Sequence, residues 1–91
     1  MDLATRLGRN VARCRKRAKL SQEELADLSA LHRTEIGLVE RGDRIPRVDT
    51  LVKLAGALGV PVEELLEGIA WRPSNDGVGG FTLLPAEPDD R

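Results

Sequence analysis

A chain of 91 residues holds one compact domain and is too short for two hydrophobic cores. With 41% hydrophobic and 32% charged residues it is neither a disordered tract nor a membrane-embedded one, and no stretch reaches the roughly 18 apolar residues of a membrane span. The formal net charge of -1 conceals opposed ends: residues 1–19 sum to +6 and residues 61–91 to -5, the pattern of a basic binding surface with an acidic tail or of a solvated basic helix face.

Leu3, Leu7, Val11, Cys14 and Ala18 recur at steps of four, four, three and four, one stripe of a helix predicted over residues 3–18. Ser21-Gln22-Glu23-Glu24 is a capping box, in which the Ser21 hydroxyl accepts from the Glu24 N–H and the Glu24 carboxylate from the Ser21 N–H. It opens a second helix, 22–29, expected to bury Leu25, Ala26 and Leu28. Ala30-Leu31-His32 is a tight turn with Leu31 as a hydrophobic plug, and a third helix, 33–40, turns Ile36 and Val39 inward. Gly42 ends it, because glycine accepts a left-handed C-terminal position without strain. After a loop at residues 44–46, Leu51, Leu54, Ala55 and Leu58 mark a fourth helix, 48–58, stopped at Gly59. Pro61 sits in the first turn of a fifth, 61–67, expected to bury Val62, Leu65 and Leu66 before Gly68.

Beyond Gly68, Ile69–Arg72 and Gly80–Leu84 read as short strands around the turn-forming segment 73–79. An isolated hairpin is marginal in water, so this one packs either on its own helical domain or on a second subunit. Trp71 and Phe81, the chain's only aromatic residues, are the candidates for a dimer contact. Residues 85–91 read as a disordered acidic tail. The expected organisation is a helical domain at 1–68, an extension at 69–84 and that tail. With no Tyr and both aromatics late in the chain, the main core falls to Leu, Val, Ile and Ala, which favours an all-α fold of five helices.

Lone Cys14 excludes an intramolecular disulfide and a cysteine zinc cluster, and a reducing, cytoplasmic setting is expected because residues 1–17 hold no apolar run suited to a signal peptide. His32 is the only histidine, so no catalytic histidine cluster exists. No nucleophile–base pair, metal-ligand spacing or phosphate loop is present, and neither enzymatic activity nor a metal or cofactor is expected. No effector pocket is legible.

The run from Leu20-Ser21-Gln22-Glu23-Glu24-Leu25-Ala26 through Leu31-His32-Arg33-Thr34-Glu35-Ile36-Gly37-Leu38-Val39-Glu40-Arg41-Gly42, then Pro46, Leu51, Leu54-Ala55 and Ala57-Leu58-Gly59-Val60, resembles the helix-turn-helix domains of lambda-type repressors and Cro, the xenobiotic-response-element family, over about residues 7–67. The resemblance implies a five-helix lambda-repressor-like domain whose third helix lies in the major groove while the second crosses the phosphate backbone. If Ile36 and Val39 point inward, then Arg33, Thr34, Gly37 and Leu38 point mostly outward, and these match the family's base-facing positions. Arg33 suits a guanine through its planar fork, the alternative being a phosphate contact or a solvated side chain. Leu38 suits a thymine methyl, the alternative being partial burial. His32, Gln22, Arg41, Arg44 and Arg47 are the candidate phosphate contacts. Arg15 and Glu40 match a family ion pair that orients the recognition helix; otherwise they are two surface charges. Where the family usually has glycine, this chain has Ala30 in the turn and Lys19 before Leu20, so Lys19 takes a left-handed conformation or the turn differs.

The function this implies is a sequence-specific transcriptional regulator binding double-stranded DNA, with a homodimer covering two half-sites. A protein-interaction module on the same fold, such as an antitoxin or accessory subunit, is the alternative.

Overall fold

The computed structural model describes residues 1–84; the predicted acidic tail lies outside them. Helix α1 spans Leu3–Arg17, α2 Gln22–Ser29, α3 Arg33–Glu40, α4 Val48–Leu58 and α5 Val62–Leu65, followed by β1 at Ile69–Arg72 and β2 at Gly80–Leu83. Asp2 starts α1 by accepting the Thr5 N–H at 2.8 Å. Ser21 and Glu24 form the reciprocal capping box at α2, at 3.0 and 2.8 Å. Gly59 closes α4 at φ +69°.

One face of each helix meets in a single core. Leu7, Val11 and Cys14 of α1 pack with Leu25, Ala26, Ile36, Val39, Leu51, Leu54, Ala55, Leu58 and Leu65. Leu20 and Leu31 seal the turns on either side of α2. Gly8 brings α1 against the end of α3, since a Cβ there would lie 2.3 Å from the Val39 carbonyl oxygen.

Three expectations need correction. Leu28 is exposed, because Leu25, Ala26 and Ser29 define the inward arc of α2 and Leu28 lies about a quarter turn away from it. The small Ser29 can occupy that arc by donating its hydroxyl to the Leu25 carbonyl at 2.6 Å. Helix α5 is a single turn, and Leu66 caps it with its side chain partly in solvent. Ala18 caps α1 from outside the core.

Asn10 fixes α5 to α1. It is fully buried and donates to the Leu65 and Glu67 carbonyls, each at 3.0 Å, supplying partners for the orphaned end of that short helix. Arg13 pairs with Glu67 at 2.7 Å and Arg17 pairs with Glu64. Between them burial pushes the Cys14 thiol above its usual range, and the Arg17 hydrogen bond holds the Glu64 carboxyl below its own.

β1 and β2 pair antiparallel, with Ile69 opposite Leu83 and Trp71 opposite Phe81. Ile69 joins the rim of the core, and the Leu84 N–H donates to the Gly68 carbonyl at 2.7 Å to close the base of the hairpin. Further out the Trp71 and Phe81 rings meet edge to face, centroids 5.2 Å apart, and each ring remains more than half exposed. The hairpin therefore rests against α1 at its base and projects beyond it.

Candidate nucleic-acid interface

The α2-turn-α3 unit presents one side of α3 to solvent. Ala30 ends α2 in the left-handed conformation at φ +57°, which lets the Leu31 N–H return to the Ala26 carbonyl at 2.9 Å. The turn before α2 has the same form: Lys19 stands at φ +61° and the Leu20 N–H reaches the Arg15 carbonyl at 3.1 Å. Both sharp turns are thus made without glycine.

The Arg15–Glu40 contact organises this unit. Arg15 Nε and Nη2 donate to the Glu40 carboxylate at 2.7 and 3.0 Å, and Arg15 Nη1 donates to the Leu20 carbonyl at 2.9 Å. Gln22 Nε2 adds a third donor to Glu40 at 3.0 Å. Glu40 is 7% exposed and Arg15 13%, so the pair is shielded from solvent and salt. The Glu40 hydrogen bond raises the Arg15 guanidinium above its ordinary value against the opposing effect of burial. One cluster thereby joins α1, the first turn of α2 and the end of α3. Gln22, expected at a phosphate, is engaged in this cluster.

On the outward side His32, Arg33 and Thr34 are exposed and Leu38 is half-buried. His32 is the N-cap of α3 but makes no side-chain cap bond, so its imidazole is not used in closing the helix. Gly37 differs from expectation: it is buried. Arg41 lies against it, its Nη1 2.9 Å from the point a Gly37 Cβ would occupy. Arg41 Nε in turn donates to Asp43 Oδ2 at 3.2 Å. Asp43, expected with Gly42 only at the end of this helix, carries no sequence signal for the contact beyond its position two residues after Arg41. Arg44 is exposed. Arg47, at the α4 N-cap, forms a two-point pair with Asp49 at 2.9 and 3.2 Å and no side-chain cap.

The sequence-level charge asymmetry divides differently in space. Of the basic residues on α1, Arg6 is buried under the base of the hairpin, Arg13 pairs with Glu67 just beyond α5, Arg17 pairs with Glu64 of α5, Arg15 is held by Glu40, and Arg9 and Lys16 are exposed. Arg33 and Arg41 on α3 and at its end, and Arg44 and Arg47 in the segment that follows, are exposed as well, with Arg41 and Arg47 paired to Asp43 and Asp49. Among the described residues no group of three or more His, Cys, Asp or Glu could hold a metal ion, and no helix is long and apolar enough to cross a membrane.

Comparison with known proteins agrees with this geometry. The Helix-turn-helix family model matches residues 11–65. Control protein C.SmaI of Serratia marcescens is 48% identical over 66 residues, covering 72% of this chain and 79% of its own length. The solved restriction-modification controller protein C.AhdI of Aeromonas hydrophila is 40% identical at a TM-score of 0.67, covering 68% of this chain and 94% of that one. The DNA-binding domain of the P22 c2 repressor is 27% identical at a TM-score of 0.65, covering 68% of this chain and 82% of that domain. With more than half its length matched by the family and its outward helix built on the same frame, the chain belongs to the helix-turn-helix family of lambda-repressor-like proteins and is a DNA-binding transcriptional regulator.

Proposed function

We propose that the protein acts in the cytoplasm as a homodimer that binds a two-half-site operator, with α3 of each subunit in the major groove. The observation that carries this reading is the outward surface of α3, where Arg33, Thr34 and Leu38 are available while Glu40 behind them is locked by Arg15 and Gln22. A wide groove admits such a helix, and a fixed helix aims its side chains reproducibly at base edges. Arg33 reads a guanine, and Thr34 and Leu38 meet thymine methyls. His32, Arg44 and Arg47 hold the flanking phosphates. One short helix contacts few base pairs, so two subunits are needed, with half-sites about one helical turn apart.

Selection from random duplexes followed by affinity measurements across a salt series tests the proposal. The expected result is a selected site bound at least about a thousandfold more tightly than scrambled duplex, with affinity falling steeply as salt rises. Arg33→Ala loses roughly 1–3 kcal/mol on the selected site and flattens one base position per half-site. Equal affinity for selected and scrambled DNA would sink the reading.

Control of restriction–modification genes is a second reading, favoured by the 48% identity to C.SmaI and the 40% identity to C.AhdI. It expects the selected site upstream of a restriction or modification gene.

A further inference from the structure

We infer that Arg41 is a second base-reading arginine, delivered onto the recognition surface by Gly37 and aimed by Asp43; this rests on the operator-binding function proposed above. Arg33, Gly37 and Arg41 are spaced four residues apart and form one ridge along the outward side of α3. Helical side chains lean toward the N-terminus and cover the preceding turn, so residue 41 lies over residue 37. Any side chain at position 37 would hold Arg41 away from the helix. Glycine leaves that place open and the guanidinium fills it, with Nη1 2.9 Å, Cζ 3.7 Å and Nη2 3.9 Å from where a Cβ would stand. The glycine beneath this contact is buried.

The orientation of the fork follows from Asp43. Asp43 takes the Nε–H at 3.2 Å, while its own backbone N–H is fixed to the Leu38 carbonyl at 2.9 Å. Among the described residues Asp43 engages Nε and leaves the two terminal nitrogens, the pair that donates together to O6 and N7 of a guanine. Arg33 and Arg41 are eight residues apart, about 12 Å along the axis, so they address different base pairs. Arg41 contacts a base; Asp43 is a positioning residue that contacts none. A phosphate anchor has no use for this arrangement, because a flexible cation at the helix end reaches the backbone without a glycine to lie on or an acid to orient it.

The test compares wild type with Arg41→Lys, Arg41→Ala and Asp43→Asn, all at exposed side chains outside the core. Each variant undergoes random-duplex selection and a salt series on the wild-type site and on scrambled DNA. Arg41→Lys keeps the charge and loses the fork. It should leave scrambled-DNA affinity and salt slope near wild type, while a guanine preference distinct from that of Arg33 falls about 5- to 150-fold. Arg41→Ala should abolish that same preference, and Asp43→Asn should weaken it while sparing the Arg33 position. The inference is overturned if Arg41→Lys retains every base preference, or if Arg41→Ala weakens all duplexes equally and lowers the salt slope by about one. A wild-type protein with no base preference would instead overturn the operator-binding function itself, so the two failures are distinguishable.

Discussion

Glu40 accepts from Arg15 Nε, Arg15 Nη2 and Gln22 Nε2 at once, and those donors come from α1 and from the first turn of α2. Removing the acid leaves Arg15 shielded with, among the described residues, only the Leu20 carbonyl as partner. Glu40→Ala should therefore cost roughly 3 kcal/mol in urea unfolding, more than any single exposed ion pair supplies. Replacing Arg15 and Glu40 together with methionine should recover most of that loss, because neither charge is then left buried. Restored stability without restored DNA affinity would mark the cluster as a positioning device. This contact was legible only through family resemblance, since 25 residues separate its members and no periodicity links them. Arg41 over Gly37 was not legible at all: it depends on which way a long side chain leans, and spacing placed both residues outside without saying that one covers the other.

The element that sets the recognition helix is the left-handed turn at each end of α2. An L-residue in that conformation costs on the order of 1–2 kcal/mol, and Lys19 and Ala30 both adopt it. Ala30→Gly and Lys19→Gly should each stabilise the fold by about 0.5–1 kcal/mol, the relief of strain exceeding the entropy that glycine adds to the unfolded chain. A denaturant midpoint that falls for both would contradict the argument. Helices α1 to α4 were readable from apolar periodicity, the Ser21–Glu24 box and the terminal glycines, because these signals are local. The length of α5 was not, since its end is decided by Asn10, more than fifty residues earlier, drawing in the carbonyls of Leu65 and Glu67. Leu28 failed for a related reason: in a two-turn helix the inward arc is fixed by neighbouring helices, and Ser29 could fill it by bonding to its own backbone.

At the scale of the whole molecule, charge that looked from sequence like a DNA footprint is largely used inside the fold. Arg13 and Arg17 grip Glu67 and Glu64 in and just after α5, so the two halves of the charge asymmetry face each other instead of serving separate ends of the protein. The hairpin is the other global feature, and it lies outside residues 11–65, which the family shares. Its alternating pattern puts Ile69, Trp71, Phe81 and Leu83 on one face, anchored at the core rim and open further out. We propose that this face adds to subunit contact. Trp71→Ala combined with Phe81→Ala should raise the dimer dissociation constant in sedimentation equilibrium while helix content is unchanged, and an unaltered constant would remove the hairpin from the interface.

The sole indole of the chain stands on that projecting arm, and there is no tyrosine. Intrinsic emission at long wavelengths therefore reports the state of the arm, whereas the helical bundle is visible only to circular dichroism at 222 nm. A melt followed by both optical signals separates detachment of the arm from collapse of the bundle, with no dye or engineered label.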